Sequence, residues 1–245
     1  MTNVLLPAMG KSTFFKDFYF PKLMLEVNGT TVLEQVVENF STLQDRHFIF
    51  ALSEKECTEF HIDESARIIT EPDNDIVILK NQTQGALCTC LICIDYINND
   101  DPLIIANFDQ IIDVDYHKVL EYFEEQDLDA GVITFDSIHP RWSYVRLEDD
   151  NFNKVIEVAE KRPLSKHAIA GFYYFRHGAD FVKSAESTIL KENMTNGKYY
   201  ISASLNEMIL SNKKVGCYNI DKKSYHSFYS PEKISEYEKL SREKE

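Results

Sequence analysis

Pro102-Leu-Ile-Ile-Ala-Asn-Phe-Asp-Gln-Ile-Ile-Asp113 is a short apolar run that ends on a carboxylate. Leu103 to Ala106, and then Phe108, lead into Asp109 with only Asn107 interrupting them. An apolar run of this length, opened by Asp101-Pro102, predicts a strand buried on both faces, as strands of parallel sheets are. Asp109 then lies near the carboxyl end of a central strand, the edge where open α/β sheets bind ligands. A carboxylate there either holds a hard divalent ion together with phosphate oxygens or only caps the following turn. This segment alone leaves both roles open.

Outward from it, strands and helices alternate. Asn3–Leu6, His47–Leu52, Ala66–Thr70 and Ala130–Phe135 predict strands, and 73–80 is ambiguous. After the turn signal Asn28-Gly29, Thr30 or Thr31 reads as an N-cap for a helix carrying Val32, Val36, Val37 and Phe40. Glu54–Phe60, 84–96 and Tyr116–Glu125 predict further helices. In the second half, Tyr144–Leu147 and Lys154–Val158 flank Glu148-Asp-Asp-Asn151 as a hairpin. Ala168–Arg176 predicts an aromatic-rich strand, Ala179–Leu190 and Tyr200–Leu210 helices, Gly216–Ile220 a last strand, and Pro231–Leu240 a terminal helix. The alternation over the first 135 residues implies an α/β, doubly wound, Rossmann-like parallel sheet, and the hairpin makes it mixed but mainly parallel. No linker composition interrupts it, so residues 1–245 are expected to form a single domain with halves 1–135 and 136–245.

Bulk properties narrow the partners. A net charge of −14 disfavours nonspecific binding to nucleic acid and to anionic membranes, so neither is expected as a partner. Any phosphate ligand must therefore meet a local cluster of Lys or Arg. No apolar run approaches the roughly 18–20 residues that span a bilayer, and the N-terminus has no basic segment leading into a long apolar one. With an odd number of cysteines, five, this predicts reduced thiols and a cytoplasmic location. Cys90 and Cys93 have C-x-x-C spacing, but with no second pair and no nearby His they read as small core residues. A Walker loop and a G-x-G-x-x-G are both absent, and no His stands at a recognisable nucleophile motif.

Four stretches read together carry a resemblance. They are Val4-Leu-Leu-Pro-Ala-Met-Gly10 with Phe20-Pro-Lys22 and Val27-Asn-Gly29; Thr83-Gln-Gly-Ala-Leu-Cys-Thr89; Ile105-Ala-Asn-Phe-Asp-Gln110; and His139-Pro-Arg-Trp-Ser-Tyr144 with Val158-Ala-Glu-Lys-Arg-Pro163 and Ala170-Gly-Phe-Tyr173. In order and approximate spacing, across roughly residues 3 to 210, the chain resembles the sugar-phosphate nucleotidyltransferase family. It resembles most the branch of capsule and surface-polysaccharide loci that includes phosphoglutamine cytidylyltransferases. The resemblance implies a GT-A-type fold. It also implies attack by an acceptor phosphate oxygen on the α-phosphate of a nucleoside triphosphate, with CTP favoured, and release of pyrophosphate. Such chemistry needs positioning and charge neutralisation more than covalent help. The implied cofactor is Mg2+, on Asp109. Lys22 would be the catalytic cation at the α-phosphate. Leu6, Pro7, Ala8, Met9, Gly10 and Lys11 would wrap the triphosphate, with Asn107 beside them, and Gln84 and Gly85 would read the base. Arg141, Glu160, Lys161 and Gly171 would hold a small phosphorylated acceptor, with Arg162 an extra cation and Trp142 either a pocket wall or core. A homo-oligomer is also compatible with the family.

Three departures stand out. Ser12 and Phe14 occupy places where relatives carry a Gly and an Arg, so a bidentate phosphate clamp is missing. The late Asp that relatives place before a Gly-Thr pair has no counterpart in 226–232, and Asp221 is out of register. Lys198 stands where relatives often carry Glu. Two rival readings follow. Asp113-Val-Asp115 has the D-x-D spacing of a GT-A-type glycosyltransferase, and the altered loop suits a non-catalytic homologue that binds nucleotide or a partner.

Overall fold

The computed structural model of the chain describes residues 1–10, 13–148 and 153–242. The first half runs β1 (Thr2–Pro7), β2 (Glu26–Val27), β3 (Thr30–Thr31), α1 (Val32–Asn39), β4 (Arg46–Ser53), α2 (Glu54–Phe60), α3 (Ile62–Thr70) and β5 (Asn74–Leu79). It continues through α4 (Ala86–Ile92), α5 (Ile94–Ile97), β6 (Leu103–Ala106), β7 (Gln110–Ile112), α6 (Tyr116–Glu125) and β8 (Ala130–Asp136). The second half comprises β9 (Ser143–Leu147), β10 (Val155–Glu160), β11 (His167–Phe175), α7 (Gly178–Leu190), α8 (Ile201–Leu210), β12 (Val215–Ile220), β13 (Tyr225–Ser227) and α9 (Pro231–Arg242).

One mixed sheet organises these elements, in the order β10-β9-β11-β6-β1-β4-β5, with β8 on the other side of β11 and β12 beyond it. β6, β1, β4 and β5 run parallel, as do β8 and β12. β11 is antiparallel to both β6 and β8 and lies between them. Strand side chains alternate between faces, and this splits the core in two. Val4, Leu6, Phe50, Ile104 and Phe172 pack on one face with α1 and α6. Leu5, Ile49, Ile105, Tyr173 and Phe175 pack on the other with α4, α7 and α8. Each fully buried Leu, Ile or Phe contributes about 1.5–3 kcal/mol, so both faces must be covered for the sheet to persist. Cys90 and Cys93 are buried and all five cysteines are free thiols. Among the described residues no helix is long and apolar enough to cross a membrane.

Most predicted elements are present, with some differences. Residues 66–70 are helical, not a strand. Ile62, Ala66 and Thr70 are buried one helical turn apart, whereas Ile68 is 73% exposed, so the longer amphipathic period overrides the local β-propensity of the isoleucines. The ambiguous 73–80 segment supplies β5, an edge strand. The helix expected over 84–96 breaks at Cys93 into α4 and α5. β6 is fully buried, as its run predicts, but it has one parallel and one antiparallel neighbour and stops at Ala106. Gly216–Ile220 is not the last strand: β13 follows and pairs with β7 in a separate two-stranded ribbon. The hairpin turn at 149–152 lies outside the described residues.

Candidate active site

The site grows from a fork in the sheet. β11 pairs with β6 through Phe172–Phe175, and on the same side it touches β9 through Ala168. Between those contacts, at Gly171, β6 has ended and the chain of Asn107 takes its place. Two things hold the fork. The Asn107 N–H donates to the Gly171 carbonyl at 2.9 Å. The buried Gln110 amide donates to the carbonyls of Ala170 (2.6 Å) and Gly171 (3.1 Å), while its oxygen accepts from Asn107 Nδ2 (3.2 Å) and the Tyr225 hydroxyl (3.3 Å). Gly171 has φ +63°, and a methyl there would lie 2.1 Å from Asn107 Nδ2. Its missing side chain thus makes room for Asn107 and Gln110, where the sequence suggested room for an acceptor.

Asp109 follows at the mouth of the fork, and Lys22 reaches it from the segment after β1. Their side chains meet at 2.7 Å and are only 23% and 10% exposed. Pro21 fixes the entry to a short 3-10 turn over Lys22–Met24, and the buried Leu23 anchors it. The Lys22 ammonium sits over the rings of Phe15 (5.5 Å) and Phe108 (5.6 Å), so aromatic faces and one carboxylate replace most of its water. Asp109 Oδ2 takes the lysine, and Oδ1 has no partner among the described residues. The Asp109 carbonyl accepts from the Phe228 N–H at 2.8 Å, which ties it to the ribbon. No group of three or more metal-ligating side chains occurs among the described residues. One open carboxylate oxygen fits a Mg2+ shared with phosphate oxygens, and does not fit an all-protein cage. Ser227 faces Gln110 in the ribbon register. Asp221 caps the 222–224 turn by accepting from the Lys223 N–H at 2.8 Å.

The residues assigned to the loop after β1 differ in exposure. Leu6 and Ala8 are core residues, and the Ala8 N–H is taken by the Ala51 carbonyl at 2.9 Å. Pro7, with no N–H, ends β1. The Met9 amide has no hydrogen-bond partner among the described residues, which leaves it open to an anion. Lys11 and Ser12 lie outside the described residues. Phe14 packs edge-on against Tyr229 at 4.8 Å. Gln84 is exposed, with its Nε2 3.5 Å from Met194 Sδ. Gly85 has φ +132°, and a Cβ there would fall 2.2 Å from the Tyr199 carbonyl oxygen. The space at Gly85 is therefore filled by the Tyr199 backbone.

A second cluster forms where β9, β10 and α8 meet. Glu160 ends β10 opposite Ser143, and its carboxylate accepts from the hydroxyls of Ser143 and of Ser202 (2.8 Å). Burial raises the Glu160 pKa, against the lowering influence of those two hydroxyls and of Lys161. Lys161 has φ +55°, donates to the Tyr200 hydroxyl at 2.6 Å and lies over its ring at 4.8 Å. Arg162 pairs with Glu157 at the surface (2.9 Å), away from this cluster. Arg141 stacks on Trp142 (4.3 Å), which packs edge-on to Phe135 and Tyr225. Tyr200, Ser202 and Tyr225 lie outside the four motif stretches, and only packing and the β13 register place them here; Gln110 and Ser143 lie within those stretches, where the resemblance assigns them no role. The D-x-D carboxylates serve different elements: Asp115 caps α6, and Asp113 pairs with His226 at 3.1 Å.

Residues 19–223 match a family described as nucleotidyl transferase. The bifunctional protein GlmU of Methanococcus aeolicus is 26% identical over 159 residues, 64% of this chain and 35% of that protein, so the chain spans about a third of the length of the curated relative it matches. A nucleoside-diphosphate-sugar pyrophosphorylase from Vibrio cholerae RC9 superposes with a TM-score of 0.83 at 21% identity, covering 96% of this chain and 99% of that one. An inositol-1-phosphate CTP transferase from T. maritima gives 0.73 at 14% identity, covering 98% and 94%. At these identities the structural likeness is one of fold.

Proposed function

Because the chain belongs to the nucleotidyl transferase family, we propose that it transfers a nucleoside monophosphate to a small phosphorylated metabolite. An acceptor phosphate oxygen forms the new bond to the α-phosphorus, and the bond to pyrophosphate breaks. The observation that carries this reading is the Lys22–Asp109 pair at 2.7 Å, beside the carboxyl ends of β1 and β6. Lys22 is the group that neutralises charge developing on the α-phosphate. The amides of Met9 and Gly10 hold phosphate oxygens. Asp109 Oδ1 and the triphosphate would hold a Mg2+ between them, which supplies further charge neutralisation. Glu160 accepts from hydroxyl or amine groups of the acceptor, and Lys161 leaves Tyr200 to pair with its phosphate. The sequence resemblance supports CTP as donor and a role in capsule or surface-polysaccharide assembly.

Calorimetry with CTP, UTP, GTP, ATP and dTTP, with and without magnesium, tests this. Saturable, magnesium-dependent binding of one triphosphate is expected, and Asp109→Ala should abolish it. If no triphosphate binds, the proposal fails. A second reading, a homologue that binds nucleotide without turnover, rests on Phe14 in the loop and on the lack of a late Asp in 226–232. Magnesium-dependent binding with no pyrophosphate released across a broad acceptor panel would favour it.

A further inference from the structure

We propose that the free edge of the main sheet, strand β5, is a self-pairing surface, on which a second copy of this chain docks its own β5 antiparallel about a two-fold axis. β5 is the outermost strand beyond β4, and no described residue pairs with its far side. The other end of the sheet is not free in this way. Lys154 bridges Gly216, and the Cys217 N–H donates to the Asn153 carbonyl at 3.0 Å, so the segment leading into β10 lies along β12. The Phe48 N–H donates to the Asp73 carbonyl at 3.0 Å, so in the parallel register Asp73, Asp75 and Val77 turn their backbone groups towards β4. The N–H and C=O groups of Ile76 and Ile78 then face outward, a template for another strand.

Edge strands are normally blunted by a proline, a bulge or a central charge. β5 has none of these. Its register with β4 runs unbroken from Phe48 and Asn74 to Ser53 and Leu79, and its centre is Ile76-Val-Ile-Leu79. Ile78 is 45% exposed, and Ile76 and Val77 are half-buried. In a chain of net charge −14 this is an uncharged, apolar edge. Charge selects the occupant and its direction. Glu71, Asp73 and Asp75 lie before or at the start of the strand, and Lys80 directly follows its end. Antiparallel self-pairing brings the acidic end of each copy to the Lys80 of the other, whereas parallel pairing sets like charges together. Pairing centred on Val77 puts Ile76 of each copy opposite Ile78 of the other, so the outward N–H and C=O groups of both residues are exchanged across the seam. One patch then serves both copies, as a two-fold interface requires. A stable dimer buries roughly 800 Å² per partner, more than one short strand presents, so this pair exchanges with monomer.

Sedimentation velocity of the full chain over a range of concentrations, joined to amide hydrogen exchange, tests this. No nucleotide is involved, so failure of the nucleotidyl-transfer reading would not affect it. A dimer in exchange with monomer is expected, and the Ile76 and Ile78 amides should exchange more slowly as the dimer fills. Ile78→Lys, at an exposed position, should weaken dimerisation roughly tenfold or more. Lys80→Glu should weaken it as well, and Asp73→Lys added to Lys80→Glu should restore it, which a merely destabilised fold would not do. A chain that stays monomeric at every concentration, or a dimer that either Ile78→Lys or Lys80→Glu leaves unchanged, would overturn the proposal.

Discussion

Glu160 shows how a single residue reports its surroundings. A buried carboxylate is disfavoured as an ion, and two serine hydroxyls recover only part of its lost hydration. Its folded pKa therefore lies above the ordinary glutamate value of about 4.3. The sign follows from linkage: the folded state binds this proton more tightly than the unfolded state does. The stability associated with it is full below the ordinary value and is lost as pH rises through the raised one. Gln at this position does not titrate. The melting-temperature difference, Glu160→Gln minus wild type, is expected to grow as pH rises through that window and to be flat above it. Thermal melts across mildly acidic to neutral pH check this, and a gap independent of pH would contradict the assignment. Lys161 beside it occupies the left-handed region, where a non-glycine residue is uncommon.

Among the elements, α1 acts on the site from a distance. A capping box starts the helix: Thr31 Oγ1 accepts from the Glu34 N–H (3.2 Å), and Glu34 accepts from the Thr31 N–H (2.6 Å). At its other end Asn39 grips β7 twice, donating to the Ile112 carbonyl and accepting from the Ile112 N–H, both at 3.0 Å. β7 begins immediately after Asp109, so this clamp helps fix where the carboxylate stands. Loss of the cap in Thr31→Ala is expected to cost about 1 kcal/mol. Asn39→Ala leaves both backbone groups of Ile112 and the Tyr116 hydroxyl without this partner, and should cost roughly 2–3 kcal/mol. Denaturant melts rank the two; equal losses would mean that water replaces Asn39.

For the whole molecule, β11 is the strand that matters most. It comes from the second half of the sequence yet lies between β6 and β8 of the first half. Neither half can complete its sheet without it, so we propose that the chain melts as one unit. Calorimetry should give a single transition, with the calorimetric and van't Hoff enthalpies in agreement. Two separable transitions, divided near residue 135, would refute this.

The sequence alone determined the α/β class, the buried central strand and most helix positions, because burial and periodicity are written locally in residues such as Leu103 to Ala106 and Val32 to Phe40. It also marked Asp109 as a candidate from its place after the buried run, whereas Lys22 was marked only through the family resemblance. It misread 66–70, where a five-residue window hides the longer helical period. Tertiary structure decided everything that depends on contacts distant in the chain. Ser143 and Ser202 meet Glu160, Tyr200 takes Lys161, the Tyr199 backbone fills the space at Gly85, and Asn107 and Gln110 fill that at Gly171. Hydrogen bonds between residues tens of positions apart leave no local pattern, so only the folded chain reveals which polar groups share a site.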